Sequence, residues 1–290
     1  METSELLKKV RQIEIKTRGL SKNVFAGQYH SAFKGRGMAF SEVREYQYGD
    51  DIRDIDWNVT ARQNTPHIKI FEEEREMTVM LLVDVSGSRE FGTINMTKQE
   101  MITEIAATMA FSAIQNNDKI GVIFFSDRIE KYIPPQKGRR HVLAIISELI
   151  NFKPVERGTD ISNVLEYITN AQKKRCTTFL ISDFVDKGNF QNALTIANTK
   201  HDIVAIQVYD PREMELPPVG LIKMKDAESG NEIWVDASSK KTRQCYADWW
   251  RSNQQKATDS FNKSRVDMVS IATNQDFVPA LLGLFKKRGR

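Results

Sequence analysis

The pattern of apolar positions changes character near residue 77 and divides the chain into two regions of different texture. Upstream, Leu6, Val10, Ile13 and Thr17 recur at helical spacing and predict a helix over residues 4–17, which Gly19 stops. Gly27, Gly35 and Gly37 lie in a stretch that reads as loop, residues 67–71 alternate as a half-buried strand does, and residues 72–76 form a charged connector. From Thr78 onward, short continuous apolar runs predict buried strands over Thr78–Asp84 and Lys119–Phe125, the first on both faces, and further strands over residues 175–182 and Asp202–Tyr209. A shorter strand over residues 128–133 and a last one over residues 266–272 complete the set. Between them the spacing predicts helices over residues 97–116, 138–151, 160–172, 189–199, 238–262 and 276–286; in the first, Met101, Ile105, Met109 and Ala113 share a face. Residues 221–226 and 232–236 flank a short polar turn and predict a β-hairpin.

Strands that alternate with helices predict an α/β fold with a doubly wound, mostly parallel sheet covered on both faces. The expected organisation is a smaller N-terminal α+β region over residues 1–76, followed by the sheet domain over 77–290 with the hairpin as an insertion near 221–236. Sheets of this kind bind ligands at the carboxyl ends of their strands, so the residues at those ends carry the functional argument.

Composition narrows the classes. Hydrophobic residues make up 40% of the 290 positions and charged residues 28%, as in globular chains with a buried core. The net charge of +4, from 42 basic and 38 acidic residues, gives no basic stripe of the kind a nucleic-acid binder shows. Two cysteines, Cys176 and Cys245, without metal-type spacing indicate a reducing compartment. The N-terminus lacks the apolar run of a signal peptide, and no segment approaches the length of a membrane span. The expected setting is cytoplasmic, without direct membrane insertion.

Three pieces of sequence fall at strand ends or helix starts: Asp84-Val-Ser86-Gly-Ser88, Gly158-Thr159-Asp160 and Ile181-Ser182-Asp183. They supply carboxylates and hydroxyls but no nitrogen or sulfur, and hard oxygen donors select hard cations such as Mg²⁺ or Mn²⁺. In a loop leaving a strand, residues two apart can turn the same way, so Ser86 and Ser88 can aim two hydroxyls at one point beside Asp84, with Gly87 allowing a tight backbone. Each piece also has a plainer reading: an Asp at a strand end serves turns and caps, and Thr159 or Asp160 can simply cap a helix. A cation held largely by neutral hydroxyls keeps much of its charge and favours a further carboxylate.

Asp84-x-Ser86-x-Ser88, Thr159 and Asp183 resemble the metal-ion-dependent adhesion site of von Willebrand factor A domains, over a region running from about Thr78 to the C-terminus. The resemblance implies that Ser86, Ser88 and Thr159 touch a Mg²⁺ or Mn²⁺ ion, that Asp84 and Asp183 act directly or through water, and that an Asp or Glu of a partner protein completes the shell. The block Tyr46-Gln-Tyr-Gly49-Asp50-Asp51-Ile-Arg53-Asp-Ile-Asp56-Trp57, running on to Arg62, is similar to the signature of the family catalogued as domain of unknown function 58. That similarity implies a MoxR-type AAA+ ATPase as partner and a kinship with proteins of bacterial aerotolerance clusters. Within the block, Tyr46 and Trp57 are expected as core anchors, and Asp50, Asp51, Arg53 and Arg62 as loop-fixing pairs; the alternative is a docking surface.

Enzyme readings are weaker. An Asp at the end of a first parallel strand also opens a phosphatase pattern, but the position of its usual general acid holds Ser86, a poor proton donor without a base. His30, His67, His141 and His201 all lie away from predicted strand C-termini, so no hydrolase base is in view. A GxxxxGK[ST] phosphate loop is missing. The expectation is a non-catalytic, metal-dependent protein-interaction module. The alternatives are a metal-independent scaffold and a Mg²⁺-dependent phosphate-ester hydrolase.

Overall fold

The computed structural model describes residues 11–14, 39–72, 77–92, 96–186, 188–228 and 230–288. Most of the helix expected over residues 4–17, and the glycine-containing loop after it, lie outside the described residues; residues 11–14 are helical. Two compact units emerge, one of residues 34–77 and one of 78–290 together with 1–33. Glu14 belongs with the larger unit, where it pairs with Arg139 at 2.6 Å.

In the small unit, β1 (Ala39–Glu45) pairs antiparallel with β2 (His67–Glu72), with Glu45 opposite His67 and an irregularity between Phe40 and Glu42. Between them runs a short helix, α1 (Trp57–Gln63), capped by Asp56, whose carboxylate accepts from the Asn58 and Val59 amides at 3.0 and 3.3 Å. The loop before it is fixed by polar pairs. Arg44 grips Asp50 with two hydrogen bonds of 2.8 and 2.9 Å, and Asp51 accepts from the Arg53 amide. Trp57 corrects an expectation: it is not a core anchor but is 67% exposed, because α1 is a seven-residue helix with no buried residue and so offers no core to anchor. Tyr46 is half-buried.

The large unit is the expected α/β sheet. Five parallel strands, β3 (Thr78–Asp84), β4 (Lys119–Phe125), β6 (Thr177–Ser182), β7 (Asp202–Tyr209) and β10 (Asp267–Ala272), and one antiparallel edge strand, β5 (Ile129–Gln136), lie in the order β10-β7-β6-β3-β4-β5. Met80 and Leu82 of β3, Phe125 of β4 and Leu180 of β6 face a core shared with Ile161, Leu165 and Ile168 of α4 (Ile161–Ala171), Leu194 of α5 (Gln191–Lys200) and Phe261 of α6 (Lys240–Lys263). Val79, Leu81 and Val83 point the other way by the two-residue period of a strand and are equally buried. Burial on both faces is why these strands read as unbroken apolar runs.

α2 (Lys98–Gln115) opens with a capping box between Thr97 and Glu100, packs on α3 (Arg139–Asn151), and is buried nearly all round, which explains the small side chains Ala106, Ala107 and Ala110 along it. The expected hairpin is β8 (Leu221–Lys225) with β9 (Glu232–Asp236), a separate two-stranded sheet, and α7 (Phe277–Arg288) packs on β10. Among the described residues no helix is long and apolar enough to cross a membrane.

The chain order of the sheet places one feature. From β3 the chain crosses to β4 on one side, whereas from β6 it crosses to β7 on the other. β3 and β6 are neighbours, with Val83 opposite Ile181. The crevice at their carboxyl ends is therefore the topological switch point.

Candidate metal centre

The switch point brings Asp84 beside Ser182 and Asp183, and the loop that carries Thr159 against Gly87. Asp84 closes β3 and is 3% exposed. Val85 ties the loop to the end of β4 by donating its amide to the Phe125 carbonyl at 2.8 Å. Ser86 then enters a 3-10 turn over Gly87–Glu90. Arg89, buried in that turn, donates to the Phe152 carbonyl and anchors it to the loop that follows α3. Ser86 Oγ and Ser88 Oγ lie 3.2 Å apart, within hydrogen-bond distance, so the alternate spacing does turn both hydroxyls the same way.

Thr159 arrives on the loop before α4. The Gly87 amide donates to Arg157 in that loop, and the Asp160 amide to Ser126 just past β4. Asp160 caps α4, accepting from the Asn163 amide at 3.0 Å, so the capping role expected of Thr159 or Asp160 falls to Asp160. The loop is held from behind by Glu130, whose buried carboxylate accepts from the amides of Val155 and Glu156 and from the Ser126 hydroxyl at 2.9 Å. Burial pushes the Glu130 carboxyl up, but these donors outweigh it and hold it below its ordinary value. A lowered acid contributes stability that is present above its unfolded value of about 4.3 and lost as the pH falls through the folded one. Glu130→Gln is therefore expected to cost about 1–3 kcal/mol at neutral pH, with the gap to wild type closing in acid. Urea melts across pH check this; a gap that widens in acid would sink it.

Asp183 follows β6 and is 5% exposed. Its Oδ1 accepts from the Val185 amide at 3.1 Å and its Oδ2 from Lys98 Nζ at 2.8 Å. The next residue, Phe184, has φ 58°, a left-handed conformation that is strained for an aromatic residue. It is held there by burial against Phe261, with ring centroids 4.8 Å apart, and by the hydrogen bond that its amide donates to Ser182 Oγ.

Three residues of the centre were not singled out from the sequence. Ser182, fully buried, donates to Asp84 Oδ2 at 2.6 Å while the Ser86 amide donates to Oδ1 at 2.9 Å. Lys98, 1% exposed, lies between Asp183 and Glu213, the latter at 2.5 Å. The signal for Ser182 was a hydroxyl just before a strand-end Asp. For Lys98 it was a cation at the first position of a helix, where the dipole favours anions. Glu213 sits in an Asp210–Glu213 capping box, which accounts for its sequence pattern without hinting at Lys98.

The electrostatics follow from this packing. Burial, reinforced by the negative charge of Asp183, pushes Asp84 up to about 6 against the bonds from Ser182 and Ser86. Burial opposes ionisation of Asp183 too, but Lys98 overrides it, with help from Ser88, and the carboxyl is held below its ordinary value. Lys98 is raised, since the two carboxylates outweigh its burial, and Glu213 is raised by burial despite Lys98. Asp183 and Glu213 face the Lys98 ammonium and Asp84 stands beside Asp183, so that with all four ionised the excess equals the charge of one divalent cation.

Among the described residues no three His, Cys, Asp or Glu side chains form a cage for a metal ion. The centre is a different donor set: two carboxylates, Asp84 and Asp183, with the hydroxyls of Ser86 and Ser88 and the Thr159 loop beside them. That set fits a hard cation. Adjacent oxygens in an octahedral shell of about 2.0–2.1 Å radius stand roughly 2.9 Å apart, close to the 3.2 Å between Ser86 and Ser88. His67, His141 and His201 are not at the centre: the first starts β2, the second bonds the Ile120 carbonyl from α3, and the third precedes β7 against Cys176. A cleft of about 610 Å³ adjoins the centre through Val185 and Asp186, with Glu228, Trp249 and Lys256 on its other walls.

The turn of the hairpin closes the centre from one side. A Cβ on Gly87 would overlap the carbonyl oxygen of Ala227 and stand 3.1 Å from its carbon. Gly87 is therefore required for a close approach between two loops rather than for an unusual backbone angle.

Known proteins share this frame. The solved structure of BatB, a conserved hypothetical protein from Bacteroides thetaiotaomicron, aligns with a TM-score of 0.50 and 16% identity over 73% of this chain and 98% of that one, a likeness of fold. The expected α/β architecture, a mostly parallel six-stranded sheet, is thus met. An uncharacterised protein of Mycobacterium tuberculosis is 27% identical over 285 residues, 97% of this chain and 89% of that one. The uncharacterised protein YeaD of Bacillus subtilis is 26% identical over 122 residues, 42% of this chain and 27% of that one. The model of the family described as "Protein of unknown function DUF58" matches residues 42–256, most of the chain, and the chain belongs to that family.

Proposed function

We propose that the protein is a non-catalytic interaction module that binds one Mg²⁺-class ion at the switch point and, through it, a carboxylate of a partner protein. The observation that carries this reading is the pairing of Ser86 and Ser88, 3.2 Å apart, beside two buried carboxylates whose charge Lys98 only partly balances. Ser86, Ser88 and Thr159 would hold the ion, with Asp84 and Asp183 behind them. When bound, the ion supplies a positive charge with open positions for an external Asp or Glu.

The chain's own residues prepare that outcome. Ser182 and the Ser86 amide orient Asp84 and engage both of its oxygens. Phe125, Phe184 and Phe261 make the floor dry, which strengthens each electrostatic contact above it. The neighbouring cleft gives a partner segment room beside the ion site. The resemblance of the signature block points to a MoxR-type AAA+ ATPase as that partner, and the exposed Tyr48, Ile52 and Trp57 of the small unit are compatible with docking.

The test is calorimetric titration with Mg²⁺ and Mn²⁺, with thermal melts, on wild type and Asp84→Ala. The expected result is saturable binding and a raised melting temperature in wild type only, since a ligand that binds the folded form stabilises it by mass action. Partner capture should then be lost in EDTA. A second reading, a metal-independent scaffold, is favoured by the exposed Leu221, Ile233 and Trp234 of the hairpin. A partner complex that survives EDTA unchanged would establish it instead.

A further inference from the structure

Lys98 is an unusual neighbour for a cation site. It is the first residue of α2, where the helix dipole disfavours positive charge, and its side chain is almost fully buried. Its ammonium stands 2.8 Å from Asp183 Oδ2 and 2.5 Å from Glu213 Oε1, and Asp183 Oδ1 is taken by the Val185 amide. Both oxygens of Asp183 are thus engaged by donors of the chain. A cation that took Asp183 directly would compete with an ammonium that has almost no solvent to retreat into, and like charges repel strongly at short range in a dry site.

We propose that Lys98 is a positioning residue that keeps the Asp183 carboxylate out of direct contact with a bound cation, so that the hydroxyls of Ser86, Ser88 and Thr159 are the direct protein ligands. The inference rests on the metal-dependent reading above. Its consequence is a site tuned to be weak alone: one carboxylate that could tighten it is reserved by Lys98, and the acidic group of a partner takes that role. Cation affinity and partner binding are then coupled.

The experiment uses the full chain and Mn²⁺ alone, with calorimetry for affinity and water-proton relaxation for the number of waters on the ion. The informative variant is Lys98→Met with Glu213→Gln, which removes one cation and one anion and leaves the net charge of the centre unchanged while releasing Asp183. Affinity is expected to rise about tenfold and the ion to lose about one water, because ligand charge count sets affinity in such sites. Binding by the double variant but not by wild type also supports the proposal. Equal affinity and water count in both overturn it, with the metal reading left standing. Binding by neither overturns the metal reading together with it. Should the double variant not fold, wild type is compared with Asp183→Asn: an equal water count supports the proposal, and an additional water in Asp183→Asn overturns it.

Discussion

Lys98→Met alone is expected to lower the stability of the cation-free protein by about 3–5 kcal/mol, the usual result of stripping the counter-charge from a buried ion pair. The reason is the arrangement of its partners. Asp183 and Glu213 are both largely removed from water, and Lys98 is the cation that contacts each. Methionine fills the volume but leaves two desolvated carboxylates without their counter-charge, one of them, Asp183, beside Asp84. The pH dependence has a definite sign. In wild type, Asp183 is lowered, so its contribution is present above about 3.9 and lost as the pH falls through the folded value. Without Lys98, burial and the charge of Asp84 push Asp183 up instead, so the variant weakens as the pH rises through that raised value. The gap between the two proteins is therefore widest near neutrality and narrows in acid. Guanidinium unfolding at several pH values measures it; a variant within about 1 kcal/mol of wild type at neutral pH would show that the pair contributes little.

Gly87→Ala is expected to weaken Mn²⁺ binding by more than about tenfold while costing about 1–3 kcal/mol of stability, the range for forcing an extra methyl into a packed site. The methyl would overlap the Ala227 carbonyl, a backbone atom that cannot rotate away as a side-chain tip can. Either the 3-10 turn over Gly87–Glu90 or the hairpin turn must move, and the turn carries Ser88. A displacement of one hydroxyl spoils the convergence of Ser86 and Ser88, whose supporting contacts run through Val85, Gly87 and Arg89. Calorimetry with Mn²⁺ and a thermal melt separate the two effects. Unchanged affinity would mean that the hairpin yields rather than the metal loop.

The nearness of the strand-end residues was largely legible in the sequence. Asp84, Ser86 and Ser88 sit within five residues, and Asp183 stands at the boundary of a clearly patterned element, so the alternation of strands and helices was enough to bring them to neighbouring strand ends, with the loop of Thr159 beside Gly87. The strands themselves were legible because burial on both faces writes a continuous apolar run. Lys98 and Glu213 were not, since a pair formed between distant loops leaves no local periodicity and each residue looks like an ordinary helix-terminal charge. The small unit was read least well. Among its described residues, ion pairs of Arg44 with Asp50 and Lys69 with Asp56 fix it beside the buried Ile68, and α1 has no buried residue. Trp57 shows the same limit: an indole in a short, unburied helix reads as an anchor until the helix is seen to lack a core.

The contact between Gly87 and the Ala227 carbonyl also bears on the order in which the protein can be made. The loop of Ser86 and Ser88 is translated early, as is Lys98, whereas Glu213 and the hairpin turn emerge much later. A nascent chain that has released β3 and α2 therefore exposes an incomplete centre, with its lysine lacking one carboxylate and its serine loop lacking its backstop. Contacts of such long sequence separation form late, after the loop-closure entropy has been overcome. On the proposed reading, cation binding is expected to report on completed chains and to be missing from fragments that end before the hairpin.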